Sequence, residues 1–168
     1  MRAALLVLTA AVSLLCAATA SAAGPAPQTI DAWFLTVGKS DKPVHVVAKG
    51  PINGVGFATQ SEKQVGKKQV NYAMLHFDRG TVRLVAPERF DWKMDQKHCL
   101  GHANGGGTYT IVGGTGLYAG ATGRGTFTTV GTAFAQRSPT GACRGLKTPI
   151  SQMVFYVKLT LTGTAALR

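Results

Sequence analysis

An all-β fold is what this chain predicts, specifically a closed antiparallel barrel of about eight strands. Three observations predict it. β-Formers and glycine dominate, with 21 glycines in 168 residues. No run of ten residues keeps a clean helical period, whereas short runs alternate apolar and polar side chains between turn residues. A glycine tract from Gly105 to Phe127, GGGTYTIVGGTGLYAGATGRGTF, leads from one strand pattern through a tight crossing into another. Closing the sheet hides edges that would otherwise pair with other chains, and leaves an interior wide enough for side chains or one small ligand.

Met1 to Ala22 reads as a secretory signal peptide. Arg2 supplies the positive start, Ala3 to Ala18 is apolar, and Ala20-Ser21-Ala22 offers a small-residue cleavage site near Ala22. No other segment reaches membrane-spanning length, so the reading is a secreted, extracellular protein without a transmembrane segment. Ala23 to Gln28, with Pro25 and Pro27, reads as a flexible lead-in, and residues 29–168 as a single barrel domain.

Thr29 to Val37 is the first predicted strand, followed by a polar turn over 38–42. Val44 to Lys49 is the second, Gly50 to Gly56 turns the chain, and Val55 to Thr59 is a short third. Ser61 to Lys68 reads as a charged loop. Gln69 to Phe77 and Thr81 to Ala86 form the clearest hairpin, joined through Asp78-Arg79-Gly80. Its first arm places Val70, Tyr72, Met74 and His76 on one face; its second turns Val82 and Leu84 inward and Thr81 and Arg83 outward. Phe90 to Met94, the two arms of the glycine tract around Thr108 and Thr126, and Ile150 to Leu161 complete the set. In the last, Val157, Leu159 and Leu161 share a face opposite Tyr156, Lys158 and Thr160.

Within the tract, Gly114, Gly116 and Ala119 fit a G-x-G-x-x-A dinucleotide fingerprint. The fingerprint needs a following helix and an acidic residue about 20 positions on. Ala121 to Val130 is strand-like and the last carboxylate side chain of the chain is Asp95. A structural corner carried by Gly113, Gly114, Gly116 and Gly120 is therefore the reading, and no cofactor is implied.

The block Gly113-Gly114-Thr115-Gly116-Leu117-Tyr118-Ala119-Gly120-Ala121, continuing through Gly123-Arg124-Gly125, resembles the GGTG signature of the allene oxide cyclase and dirigent superfamily. It is most similar to that superfamily's small secreted actinobacterial members. Gly50-Pro51-Ile52-Asn53-Gly54-Val55-Gly56 resembles a glycine-rich turn of the same proteins. The resemblance implies a calycin-like barrel holding a hydrophobic substrate, and, for an enzyme, isomerase or cyclase chemistry. It carries no catalytic residue across to this chain.

Cys99 and Cys143 remain once Cys16 leaves with the signal peptide. In an exported protein they predict one disulfide. His98, Cys99 and His102 form a competing H-C-x-x-H metal reading, but a thiolate ligand would strand Cys143 unpaired. The preferred reading has no metal.

The formal net charge is +11. Residues 96 to 168 hold seven basic side chains and no acidic one. Such a balance favours anionic cell-envelope polymers, and the bland alternative is solubility alone. No recognition motif points to specific nucleic-acid binding. No G-x-S-x-G elbow is present, and the seven carboxylates mostly sit in turns or beside lysines, which argues against hydrolases.

The reading is thus a secreted barrel that binds a small hydrophobic or aromatic molecule, with Trp33, Tyr72, His76 and Tyr109 as candidate lining. Asp31 and His76 are candidates for proton transfer if their faces point inward, although short strands offer outward positions as readily. The alternatives are an envelope-associated structural protein docking on anionic polymers, or an isomerase or cyclase of the resembling type.

Overall fold

Side-chain alternation drives every long described element into a strand. The computed structural model describes residues 24–37, 43–65, 68–87, 89–143 and 154–168. The predicted signal peptide over 1–22, the turn over 38–42 and the start of the last predicted strand at 150–153 lie outside those residues.

Nine strands are present among the described residues: β1 Ala26–Val37, β2 Val44–Lys49, β3 Gly54–Val65, β4 Lys68–Phe77, β5 Gly80–Pro87, β6 Arg89–Asp95, β7 Leu100–Gly114, β8 Thr122–Phe134 and β9 Val154–Ala166. They pair antiparallel in the order β5-β4-β3-β2-β1-β9-β8-β7-β6. A further pairing of β5 with β7 closes eight of them into a barrel, leaving β6 as an extra strand. The long β7 serves both neighbours. Its C-terminal half pairs with β5, from Val85 opposite Thr110 to Val82 opposite Gly114, and its N-terminal half pairs with β6.

Inside, the strands contribute alternate residues to one continuous core. Ile30, Val46, Val82 and Ile111 are fully or almost fully buried, and Phe127 and Leu161 pack with them. Tight coiling of the wall requires glycine where strands press together: a Cβ at Gly125 would run into the Thr162 carbonyl oxygen of β9. Gly116, at φ 60°, sits where the corner leaves β7, and a Cβ there would meet the Arg79 carbonyl oxygen. The glycine tract accordingly forms a strand end, a 3-10 turn over Gly116–Tyr118 and a second strand, with no α-helix.

That turn plugs one end of the barrel. Tyr118 is buried, its ring meets Phe77 edge-on at 5.6 Å, and its hydroxyl donates to the Asn53 carbonyl at 2.7 Å. Beside it Ile52 is fully buried. Gln28 fixes that turn from inside, accepting a hydrogen bond from the Ile52 amide at 2.9 Å and donating to the Lys49 and Ile52 carbonyls at 3.0 Å. A buried amide side chain is tolerated here because backbone partners satisfy it.

Three elements differ from the sequence reading. β3 continues to Val65 and β4 begins at Lys68, so most of the predicted loop from Ser61 to Lys68 is a long hairpin arm. Its polar side chains misled because residues 61–64 lie on exposed strand. β1 begins at Ala26, inside the predicted lead-in, because those residues pair with β9. β7 begins at Leu100, its glycines at 105–107 lying within strand rather than before it.

Cys99 and Cys143 form a disulfide, with Cα atoms 5.2 Å apart. It ties the β6–β7 turn to the chain that follows β8. Reduction should lower unfolding stability by roughly 4 kcal/mol on the chain-entropy account, read as a shift in urea midpoint with and without reductant. Tyr118→Phe should cost about 1 kcal/mol in the same assay, since the Asn53 carbonyl loses its donor.

Candidate functional site: a cavity inside the barrel

The plugged end leaves the rest of the interior incompletely filled. A cavity of about 250 Å³ runs along the barrel from a deep apolar end, walled by Ile30, Leu75, Leu84, Tyr109 and Leu161, to Gln60, Glu62 and Asn71. Gln60 and Glu62 are exposed and form a polar rim. The space exists because four inward positions on neighbouring walls are alanine: Ala32, Ala58, Ala73 and Ala86. A leucine or phenylalanine at any of them would occupy part of it.

Of the four predicted lining residues, Tyr109 lines this cavity. Trp33, Tyr72 and His76 do not, and stand on the outer face of the barrel. Registration shows why. Ile30 and Ala32 point into the core, so Asp31 and Trp33 point out. Asn71, Ala73 and Leu75 face the cavity, so Tyr72 and His76 face away. Trp33 and His76 belong instead to a row of outer rings that crosses four strands in register, Trp33, His45, Phe57 and His76. Trp33 stacks with His45 at 6.0 Å and Phe57 with His76 at 4.5 Å.

The candidate proton-transfer pair is likewise outside. Asp31 accepts a 2.8 Å hydrogen bond from Thr160 Oγ1 and lies 3.9 Å from Lys158 Nζ. His76 Nε2 is 3.1 Å from Thr59 Oγ1. Neither side chain can reach a molecule held in the barrel.

Sequence reasoning missed Gln60, Glu62, Asn71 and the alanines, yet the hairpin held a usable signal. The Asp78-Arg79 turn sets Phe77 opposite Gly80, which places Leu75 opposite Val82 and Ala73 opposite Leu84. Directly opposed residues share a face. The clear inward phase of Val82 and Leu84 therefore turns Asn71, Ala73 and Leu75 inward too.

The metal reading loses its sulfur, because Cys99 is in the disulfide. His98 Nδ1 lies 2.6 Å from Asp95 Oδ2. The hydrogen bond with His98 holds the Asp95 carboxyl below its usual range, with the His98 and Lys97 amides adding to it. No cluster of three His, Cys, Asp or Glu side chains suited to a metal ion occurs among the described residues. No helix of the described residues is long and apolar enough to cross a membrane.

Tyr109 is only 1% exposed and its hydroxyl has no hydrogen-bond partner among the described residues. Burial pushes its phenol above the usual range, so it is neutral near pH 7.

No protein-family model, curated protein or solved structure matches this chain.

An orphaned buried hydroxyl costs stability, so Tyr109→Phe should raise it by about 1 kcal/mol in urea denaturation. The phenol's pKa is raised in the folded state. Its contribution is therefore fully present below the unfolded value, about 10, and is lost as pH rises beyond it. The advantage of Tyr109→Phe over wild type should widen above pH 10.

Proposed function

We propose that this chain is a secreted barrel protein that binds one small apolar or aromatic molecule in its cavity. The observation that carries the reading is the apolar cavity of about 250 Å³, walled by Ile30, Leu75, Leu84, Tyr109 and Leu161 and rimmed by the polar Gln60 and Glu62. Apolar walls supply affinity by releasing water, and a polar rim sets how deep an amphipathic molecule sits. The volume exceeds the roughly 150 Å³ that accommodates benzene and falls short of the roughly 300–1,000 Å³ of drug-sized sites. A single substituted ring or a short branched chain fits best.

Export is supported by the apolar leader with its small-residue cleavage pattern, and by a disulfide of the kind that persists in oxidising compartments. The resemblance of the glycine block to the allene oxide cyclase and dirigent superfamily supports the same use of the cavity. We place binding ahead of cyclisation because Asp31 and His76, the candidate acid–base groups, lie on the outer face.

Native mass spectrometry of protein exported to an oxidising compartment should show a small-molecule adduct that denaturation releases. Naphthalene, titrated against the emptied protein, should bind and raise its melting temperature. Ala73→Phe, which fills the cavity, should weaken naphthalene binding at least tenfold, while Trp33→Ala on the outer face leaves it unchanged. Undiminished naphthalene affinity in a folded Ala73→Phe protein would overturn the reading.

A further inference from the structure

Barrel closure sorts the charges of this chain onto different walls. The sequence from residue 96 onward has no carboxylate side chain, and neither does β5. Because β5 pairs with β7, β7 with β8 and β8 with β9, these stretches become four adjacent strands. Their shared outer face carries no acidic side chain. Asp31, on the neighbouring β1, marks its boundary and is engaged by Thr160 and Lys158. The remaining carboxylates among the described residues, Glu62, Asp78, Asp91 and Asp95, lie on β3, a turn and β6.

On that face Arg83 and Arg124 stand exposed, and neither forms an ion pair among the described residues. Thr110 lies between them, pairing with Val85 on one side and Arg124 on the other. Beside it, Thr108, Thr126 and Thr162 fall in one cross-strand row of exposed hydroxyls. Two guanidinium forks without an ion-pair partner among the described residues, Arg83 beside Val85 and Val112 and Arg124 beside the threonine row, flank short hydroxyl side chains, which suits carboxylates on a hydroxyl-rich backbone. Arginine can grip a carboxylate bidentately, and threonine hydroxyls both donate and accept.

We propose that the outer face of β5, β7 and β8 is a docking surface for an acidic polysaccharide, with Arg83 and Arg124 as the carboxylate-binding residues. The surface is separate from the cavity and does not depend on it. Nucleic acid fits less well. Between Thr108 and Val112 and between Thr122 and Thr128 the outward side chains are Thr, Val and Arg, and the exposed rings at the edges, Tyr72 in the groove beside Arg83 and Phe134 at the end of β8, stand apart rather than in the row that successive stacked bases need. A convex barrel wall of short side chains also cannot enter a duplex groove as a helix or ribbon does.

Polygalacturonate is the probe, measured against the full mature protein over a salt series. Arg83→Gln with Arg124→Gln should weaken binding at least tenfold and reduce the slope of log affinity against log salt by about 2, roughly one per arginine removed. Lys49→Glu removes the same two units of charge from the opposite wall, on β2. Opposite walls are farther apart than the Debye length of about 8 Å at physiological salt, so this variant should change affinity less than threefold. Arg124→Lys keeps the charge and loses the fork, and should weaken binding about threefold. All variants should keep the wild-type melting temperature and naphthalene affinity, which separates loss of this surface from loss of the cavity. Equal weakening by the arginine pair and by Lys49→Glu would mean that net charge alone binds, and would overturn the proposal. So would no binding of polygalacturonate at low salt, or tighter binding of duplex DNA than of polygalacturonate at the same salt.

Discussion

The pairing of β5 with β7 is the constraint on which the rest of the molecule depends. Without it the nine strands would be an open sheet with two free edges and no interior. The pairing is short, four residue pairs interrupted by an irregularity between Arg83 and Leu84, and it ends on Gly113 and Gly114. Gly113 adopts φ 129°, a conformation that a side chain rarely allows, and Gly114 sits where a Cβ would strike the Thr81 carbonyl oxygen. The cavity, the plug at Tyr118 and the separation of charges between walls all follow from this seam.

Much of the architecture was legible in the sequence, because strand alternation and turn residues are local signals. The hairpin through Asp78-Arg79-Gly80, the shared face of Val157, Leu159 and Leu161, which turns out to point inward, and the corner at Gly113 to Gly120 all appear in the structure as the residues suggest. The cavity was much less legible. On β4 the bulkier apolar face, with Tyr72 and Met74, points outward, and the modest face of Asn71, Ala73 and Leu75 points in. Hydrophobicity alone chooses the wrong face there, since a narrow interior favours small side chains over the most apolar ones. Asp31 and Trp33 erred for a related reason: an aromatic ring on a strand need not mark the core when outer rings can stack across strands.

The two sides of the barrel wall have separate chemistry. Inward positions are apolar and partly vacant, whereas outward positions carry a register of rings across β1 to β4 and, between Thr108 and Thr110 and between Thr122 and Thr128, threonines with Arg124. Because successive residues of a strand alternate between these environments, a single-residue slip in register would exchange them completely. The Tyr118 and Gln28 hydrogen bonds at the plugged end help hold register, since both tie strand-borne or corner residues to the fixed turn before β3.

The pairing of β1 with β9 has a kinetic consequence. These strands come from opposite ends of the described chain and run side by side over twelve residue pairs, from Ala26 opposite Ala165 to Val37 opposite Val154. During synthesis β1 has only β2 as a partner until the final strand has been made, and contacts so distant in sequence form slowly. The barrel therefore cannot close before β9 has been made. Until β9 arrives one edge of β1 stays open, so the cavity cannot exist before the last of the nine described strands is in place.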